Sequence, residues 1–278
     1  MSLNQFYIEL PKIELHAHIN GSLSPTTLYK LVERKKIDKP ELANFKIPES
    51  LENIDDFFPL FHFIYQLTDD EESVRMATRD IIYEFARDGV KYLELRTTPR
   101  KNDETGMTKK SYIAAVLSAI QETQKEKEID IIVKLILSID RRNDLKEAEE
   151  VVDLAVAFRD TNNIVGIDLC GDVRAGLFEN LKPAFKRAKE KYGFPITLHF
   201  NEVQENLMEA PSLLSIQPDR LGHATILNDY CRRMIYDQNI PIEICMTSNI
   251  LCKTVPNYEV HHLKELFYDN HPFIICVK

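Results

Sequence analysis

From Ile131 to Ile139 the chain is aliphatic almost throughout. A strand with no polar alternation is buried on both faces, and such strands belong to parallel sheets covered by helices. The same alternation recurs along the sequence. Strand-like runs are expected at Lys12–His16, Val90–Leu95, Ile131–Ile139, Ile164–Leu169, Pro195–His199, Arg220–His223, Ile240–Met246 and Phe273–Val277. Helical spacing separates them: a helix opened by Ser24-Pro25, then Glu71–Asp88 ended by Gly89, Tyr112–Glu126, Lys146–Phe158, Leu181–Lys191, Asp229–Gln238 and His262–Tyr268. Strands alternating with helices make an α/β fold, and about eight such units predict a TIM (β/α)8 barrel. An open doubly wound sheet is the alternative, but no G-x-G-x-x-G follows a strand.

The 278 residues fit one barrel domain, 1–278, without linkers or low-complexity stretches. A net charge of −9 works against a nucleic-acid partner. It leaves room for a small anion, because a local basic cluster overrides the global field. No apolar run is long enough for a membrane span, and Met1–Gln5 lacks the basic and apolar regions of a signal peptide. Five cysteines without a C-x-x-C pair read as reduced thiols, so a cytoplasmic protein is expected, and a monomer.

The candidate chemistry begins at Glu14-Leu15-His16-Ala17-His18. Alternation along a strand points His16 and His18 the same way, and paired imidazoles at a strand's end can bind zinc. Alone, this H-x-H is equally compatible with two packed or surface histidines. His199 ends a later strand, with Glu202 three residues on, and His223 ends the next. Histidines at three strand ends favour a site at the C-terminal face of a barrel. Of the other histidines, His62 reads as core between Phe61 and Phe63. His261 and His262 fall at a helix start, and His271-Pro272 at a turn.

Pro11–Ser22, with Ile13-Glu14-Leu15-His16-Ala17-His18 at its heart, resembles the opening signature of the adenosine/AMP deaminase family. His199 with Glu202, Gly222-His223, and Thr247-Ser248-Asn249 match later motifs of that family in the same order. The resemblance covers nearly the whole chain. It implies one zinc ion held by His16, His18 and His199, activating a water for attack on C6 of a purine. It also implies Glu202 as the proton shuttle and His223 as the residue that orients the activated water. The lack of C-x-x-C argues against the other zinc deaminase class.

Within the family the resemblance is to enzymes acting on N6-methyl-AMP, which release IMP and an amine. Adenosine itself is the alternative substrate. Adenosine deaminases carry H-x-H-x-D-G, and this chain has Asn20 at that aspartate position. A neutral amide can donate to a 5′-phosphate that a carboxylate would repel. The resemblance places His18, Asn20, Tyr65, Thr98, Pro99, Arg100, Lys101, Asp140 and Gly171 around the nucleotide. Locally, Gly171 is as readily a plain strand-end turn, and Lys101, Arg141 and Arg142 as readily a solvated face. Tyr65 stands where relatives often have histidine, and Ala224 where glycine is more usual.

The family's eighth strand ends in two aspartates, one a metal ligand. Here the strand reads Pro272–Lys278 and the sequence stops before either. The expectation is a barrel ending at strand eight, without its last helix. A catalytically impaired barrel that binds nucleotide or a protein partner is then a further alternative.

Overall fold

The computed structural model describes residues 3–44 and 58–276. These residues form two compact units, one running up to Lys134 and the other from Leu135 onward. Among them no helix is long and apolar enough to cross a membrane.

In the first unit, β1 (Lys12–His18) pairs in parallel with β2 (Val90–Thr97), His18 standing opposite Arg96. Helix Pro25–Lys35 starts where sequence predicts: Ser24 Oγ accepts the Thr27 N–H at 3.2 Å, and Pro25 takes the first turn, where no N–H is needed. Asp70 caps helix Glu71–Arg87 through the Ser73 N–H at 2.8 Å. Gly89 follows with φ +84°, and a Cβ there would lie 2.5 Å from the Ile8 carbonyl oxygen, so glycine is required. Helix Lys109–Thr123 opens with a reciprocal capping box between Thr108 and Ser111. Leu31, Leu42, Phe63, Leu67 and Ala77 make a buried cluster under the first helices. His62 corrects the sequence expectation. It lies on helix Phe58–Leu67, whose buried face carries Phe63 and Leu67 four residues apart, and this turns His62 out to solvent.

The second unit takes in β3 (Ile132–Asp140) from Leu135 onward, and β3, β4 (Ile164–Cys170), β5 (Ile196–Phe200), β6 (Arg220–His223), β7 (Ile242–Cys245) and β8 (Phe273–Cys276) pair in sequence order, every pair parallel. Val277, expected in the last strand, lies outside the described residues. Helix Leu145–Ala157 has the Asp144/Glu147 capping box. The next helix begins at Phe178, three residues before the expected start, because the Glu209 carboxylate accepts the Phe178 N–H at 2.8 Å. No local pattern reveals that distant cap. Pro183 lacks the N–H of a regular turn, and from Arg187 to Lys191 the helix widens into a π turn. The five cysteines, all in this unit, are buried and not joined in disulfides.

Candidate active site

The predicted site residues cluster at strand C-terminal ends, where a parallel α/β architecture places ligands. His18 ends β1, Thr98-Pro99-Arg100 follows β2, Asp140 ends β3, Gly171 follows β4, His199 is the penultimate residue of β5, and His223 ends β6.

In the first unit the His16 and His18 rings lie 5.3 Å apart between centroids, His16 buried and His18 half-buried. The buried Glu14 carboxylate accepts the His16 backbone N–H at 2.5 Å and fixes the strand between them. Just beyond, buried Asn20 faces the Thr68 hydroxyl, its Oδ1 3.2 Å away. Arg100 closes the same network. Its guanidinium donates to Thr68 Oγ1 at 2.7 Å, to the Thr68 carbonyl at 2.8 Å and to the Tyr65 carbonyl at 3.3 Å, and lies 4.3 Å from the Tyr65 ring centroid. Asn20, Tyr65 and Arg100 are thus brought together, with Arg100 anchored as a scaffold. Pro99 is buried and Thr98 half-buried, while Lys101 projects to solvent near Asp103.

In the second unit Gly171 has φ +104°, and a Cβ there would lie 2.6 Å from Asp140 Oδ1. The bare backbone of one predicted residue therefore packs on the carboxylate of another. That carboxylate accepts the Arg142 backbone N–H at 2.9 Å and the Arg142 guanidinium at 2.8 and 2.6 Å. Arg141 is no solvated face. It is buried and ion-paired with Glu209 at 2.7 Å, an arrangement its exposed-looking Asp-Arg-Arg context conceals.

His199 is the most constrained ring. Its Nδ1 lies 2.7 Å from the Leu169 carbonyl oxygen and 3.2 Å from Asp168 Oδ1. Both partners are acceptors, so Nδ1 carries the proton and Nε2 keeps the lone pair that a metal needs. Asp168 in turn accepts the Ser138 hydroxyl at 2.9 Å. Sequence reasoning passed over Asp168, although a lone carboxylate in the aliphatic run Ile164–Leu169 is itself a signal that a buried partner awaits it.

Next to it, the His199 and His223 rings are 5.5 Å apart, and His223 Nε2 lies 3.5 Å from Glu202 Oε2. His223 has φ +72° and Ala224 φ +47°, two successive left-handed residues, so the alanine at the position of the usual glycine is accommodated with strain. The His262 ring N–H donates to the His223 carbonyl at 2.8 Å and holds that turn. Burial, with the neighbouring His261, pushes the His262 imidazole down to about 4, so it stays neutral.

The deaminase motifs thus fall at strand ends in each unit, and the comparisons decide their family. Residues 11–276 match the family model described as adenosine deaminase. The chain belongs to the adenosine deaminase family. It is 42% identical over 280 residues to the N6-methyl-AMP deaminase of Danio rerio, spanning 98% of this chain and 80% of that protein. It is 40% identical over 291 residues to that of Homo sapiens, at 98% and 78% coverage. The crystal structure of the Arabidopsis N6-mAMP deaminase matches with a TM-score of 0.91 at 37% identity, covering 98% of this chain and 83% of that one. The fold is the (β/α)8 barrel of these deaminases, as the strand–helix alternation predicts. As a member of this metal-dependent family the protein is a hydrolase and a deaminase.

Proposed function

We infer that the protein hydrolyses N6-methyl-AMP to IMP and methylamine, with zinc held by His16, His18 and His199. The observation that carries this reading is the His199 ring, whose Nδ1 proton is committed to the Leu169 carbonyl so that Nε2 is left in the ligand tautomer. A metal held by these histidines would supply Lewis acidity, which lowers the pKa of water toward neutrality. The chain's own residues do the rest. Glu202 takes a proton from the attacking water and delivers it to the purine ring nitrogen as the oxygen adds to C6, then passes the remaining hydroxyl proton to the amine as the C6–N bond breaks. His223, its Nε2 directed at Glu202, orients the attacking oxygen. The nucleotide preference is supported by the names of the relatives above and by a solved Arabidopsis relative in complex with IMP, which matches at a TM-score of 0.89. Asn20 supports it physically: an amide leaves no negative charge where a 5′-phosphate must approach.

The test is turnover of N6-methyl-AMP, AMP and adenosine by the purified, zinc-supplied protein. IMP release from N6-methyl-AMP, with adenosine slower by about 10-fold or more in kcat/KM, is expected. Faster turnover of adenosine would overturn the nucleotide reading. No turnover of any of the three would overturn the deaminase reading.

A further inference from the structure

His223 does not stand alone behind Glu202. Four side chains and one backbone group form a hydrogen-bonded line that runs from the start of helix Leu263–Tyr268 to the acid–base pair, and its polarity is fixed at one end. The Leu263 backbone N–H can only donate, and it meets His261 Nδ1 at 3.1 Å, so Nδ1 is an acceptor. His261 is buried, and burial pushes its imidazole down, keeping it neutral. Its one proton is therefore on Nε2, 3.2 Å from Asn249. The Asn249 atom that faces this N–H must be the oxygen, which turns the amide NH2 toward His223 Nδ1 at 3.1 Å.

A second anchor agrees. The Thr254 hydroxyl has one proton, given to the Asn249 backbone carbonyl at 3.2 Å, so its oxygen accepts from the Asn249 NH2 at 3.3 Å. With an N–H donated into Nδ1, a neutral His223 carries its proton on Nε2, the atom that faces Glu202 at 3.5 Å. Every donor in the line meets an acceptor, and reversing any one link leaves two protons or two lone pairs in contact.

We propose that Asn249 and His261 are positioning residues that hold His223 as the Nε2–H tautomer, so that its proton points into the reacting centre rather than away from it. This rests on the reading of His223 and Glu202 as the pair flanking the reacting atoms. Asn249 and His261 act through the His223 ring. Asn249 is 1% exposed and His261 2%, which confines their partners to this line and its immediate neighbours.

The experiment is ¹⁵N NMR of the imidazoles in zinc-loaded, histidine-labelled protein, with His223 assigned by its loss in His223→Gln. The wild type is expected to show His223 protonated at Nε2 and bare at Nδ1. In Asn249→Asp the carboxylate accepts from both rings, and the proton moves to His223 Nδ1. The kcat for N6-methyl-AMP then falls by about 10²- to 10⁴-fold with KM little changed, as expected of a wrong tautomer. His261→Gln keeps a donor toward Asn249 and retains both the Nε2–H signature and most of the activity, whereas His261→Leu loses both. This second pair decides the matter should Asn249→Asp fail to fold. Wild-type protein with the proton on Nδ1, or a folded Asn249→Asp or His261→Leu with His223 still protonated at Nε2, would overturn the proposal. The spectrum needs no turnover, so an inactive wild type would refute the assigned reaction while leaving the tautomer decided either way.

Discussion

Replacing Gly171 by alanine probes the packing of the turn that follows β4. Two separate penalties meet there. A φ of +104° is one that residues with a Cβ rarely adopt, and holding alanine in it costs about 1–3 kcal/mol. The new methyl would also lie 2.6 Å from Asp140 Oδ1 and 2.8 Å from its Cγ. The carboxylate cannot simply swing aside, because the Arg142 backbone N–H and guanidinium hold both oxygens. Relieving that overlap adds about 1–3 kcal/mol, and the total for Gly171→Ala is about 2–6 kcal/mol. Urea denaturation should show a lower midpoint with an unchanged slope, the signature of a stability change alone. The same substitution in an Asp140→Ala background meets no oxygens, so it should cost only the backbone share. The coupling between the two positions is then about 1–3 kcal/mol. A loss below ~0.5 kcal/mol in the wild type, or equal losses in both backgrounds, would refute the contact argument.

Asp168→Asn weakens the acceptor beside His199 Nδ1 while leaving the Leu169 carbonyl in place, so zinc affinity should fall by about 10-fold, toward the low end for such partners; chelator competition measures it, and unchanged affinity would exclude Asp168 from tuning the ligand. Asn20→Asp should shift kcat/KM away from the monophosphate and toward the nucleoside by about 10-fold or more, and an unshifted ratio would remove the phosphate argument. Burial works to raise the Asp70 carboxyl, but the Lys35 ammonium and the Ser73 N–H outweigh it and hold the group down at about 2, against an ordinary 3.8. Its stabilisation is therefore present above about pH 4 and drains away as pH falls toward 2, by about 1–2 kcal/mol in all. Acid titration of stability should be flatter in Asp70→Asn, and an identical slope would show that the pair contributes nothing.

What could be read from the sequence and what could not divide along a physical line. The strands were legible because burial on both faces leaves a one-dimensional mark: Ile131–Ile139 admits no solvent face, and the observed β3 runs from Ile132 to Asp140. The helix start at Ser24 was legible for the same reason, since a cap and its N–H lie three residues apart, and the helices capped by Asp70 and Asp144 begin within one residue of the expected Glu71 and Lys146. The start at Phe178 was not, because its cap is Glu209 on a later segment. The site follows the same rule. His16, His18, His199 and His223 announce themselves by residue type at strand ends, which is local. What makes them chemically competent is not local. The His199 proton is placed by a carbonyl of the neighbouring β4, and the His223 proton by an amide and a backbone N–H that reach it from 26 and 40 positions along the chain. A histidine motif identifies candidate ligands but leaves the tautomer open, because either ring nitrogen can carry the proton until a committed donor or acceptor is set against the other. Asp168 and His261 look unremarkable in sequence, and Asn249 shows there only as part of a motif without a role, because their effect passes through another ring. Substituting them should alter proton position and metal affinity first and the fold second, and that ordering separates them from residues that merely fill the core.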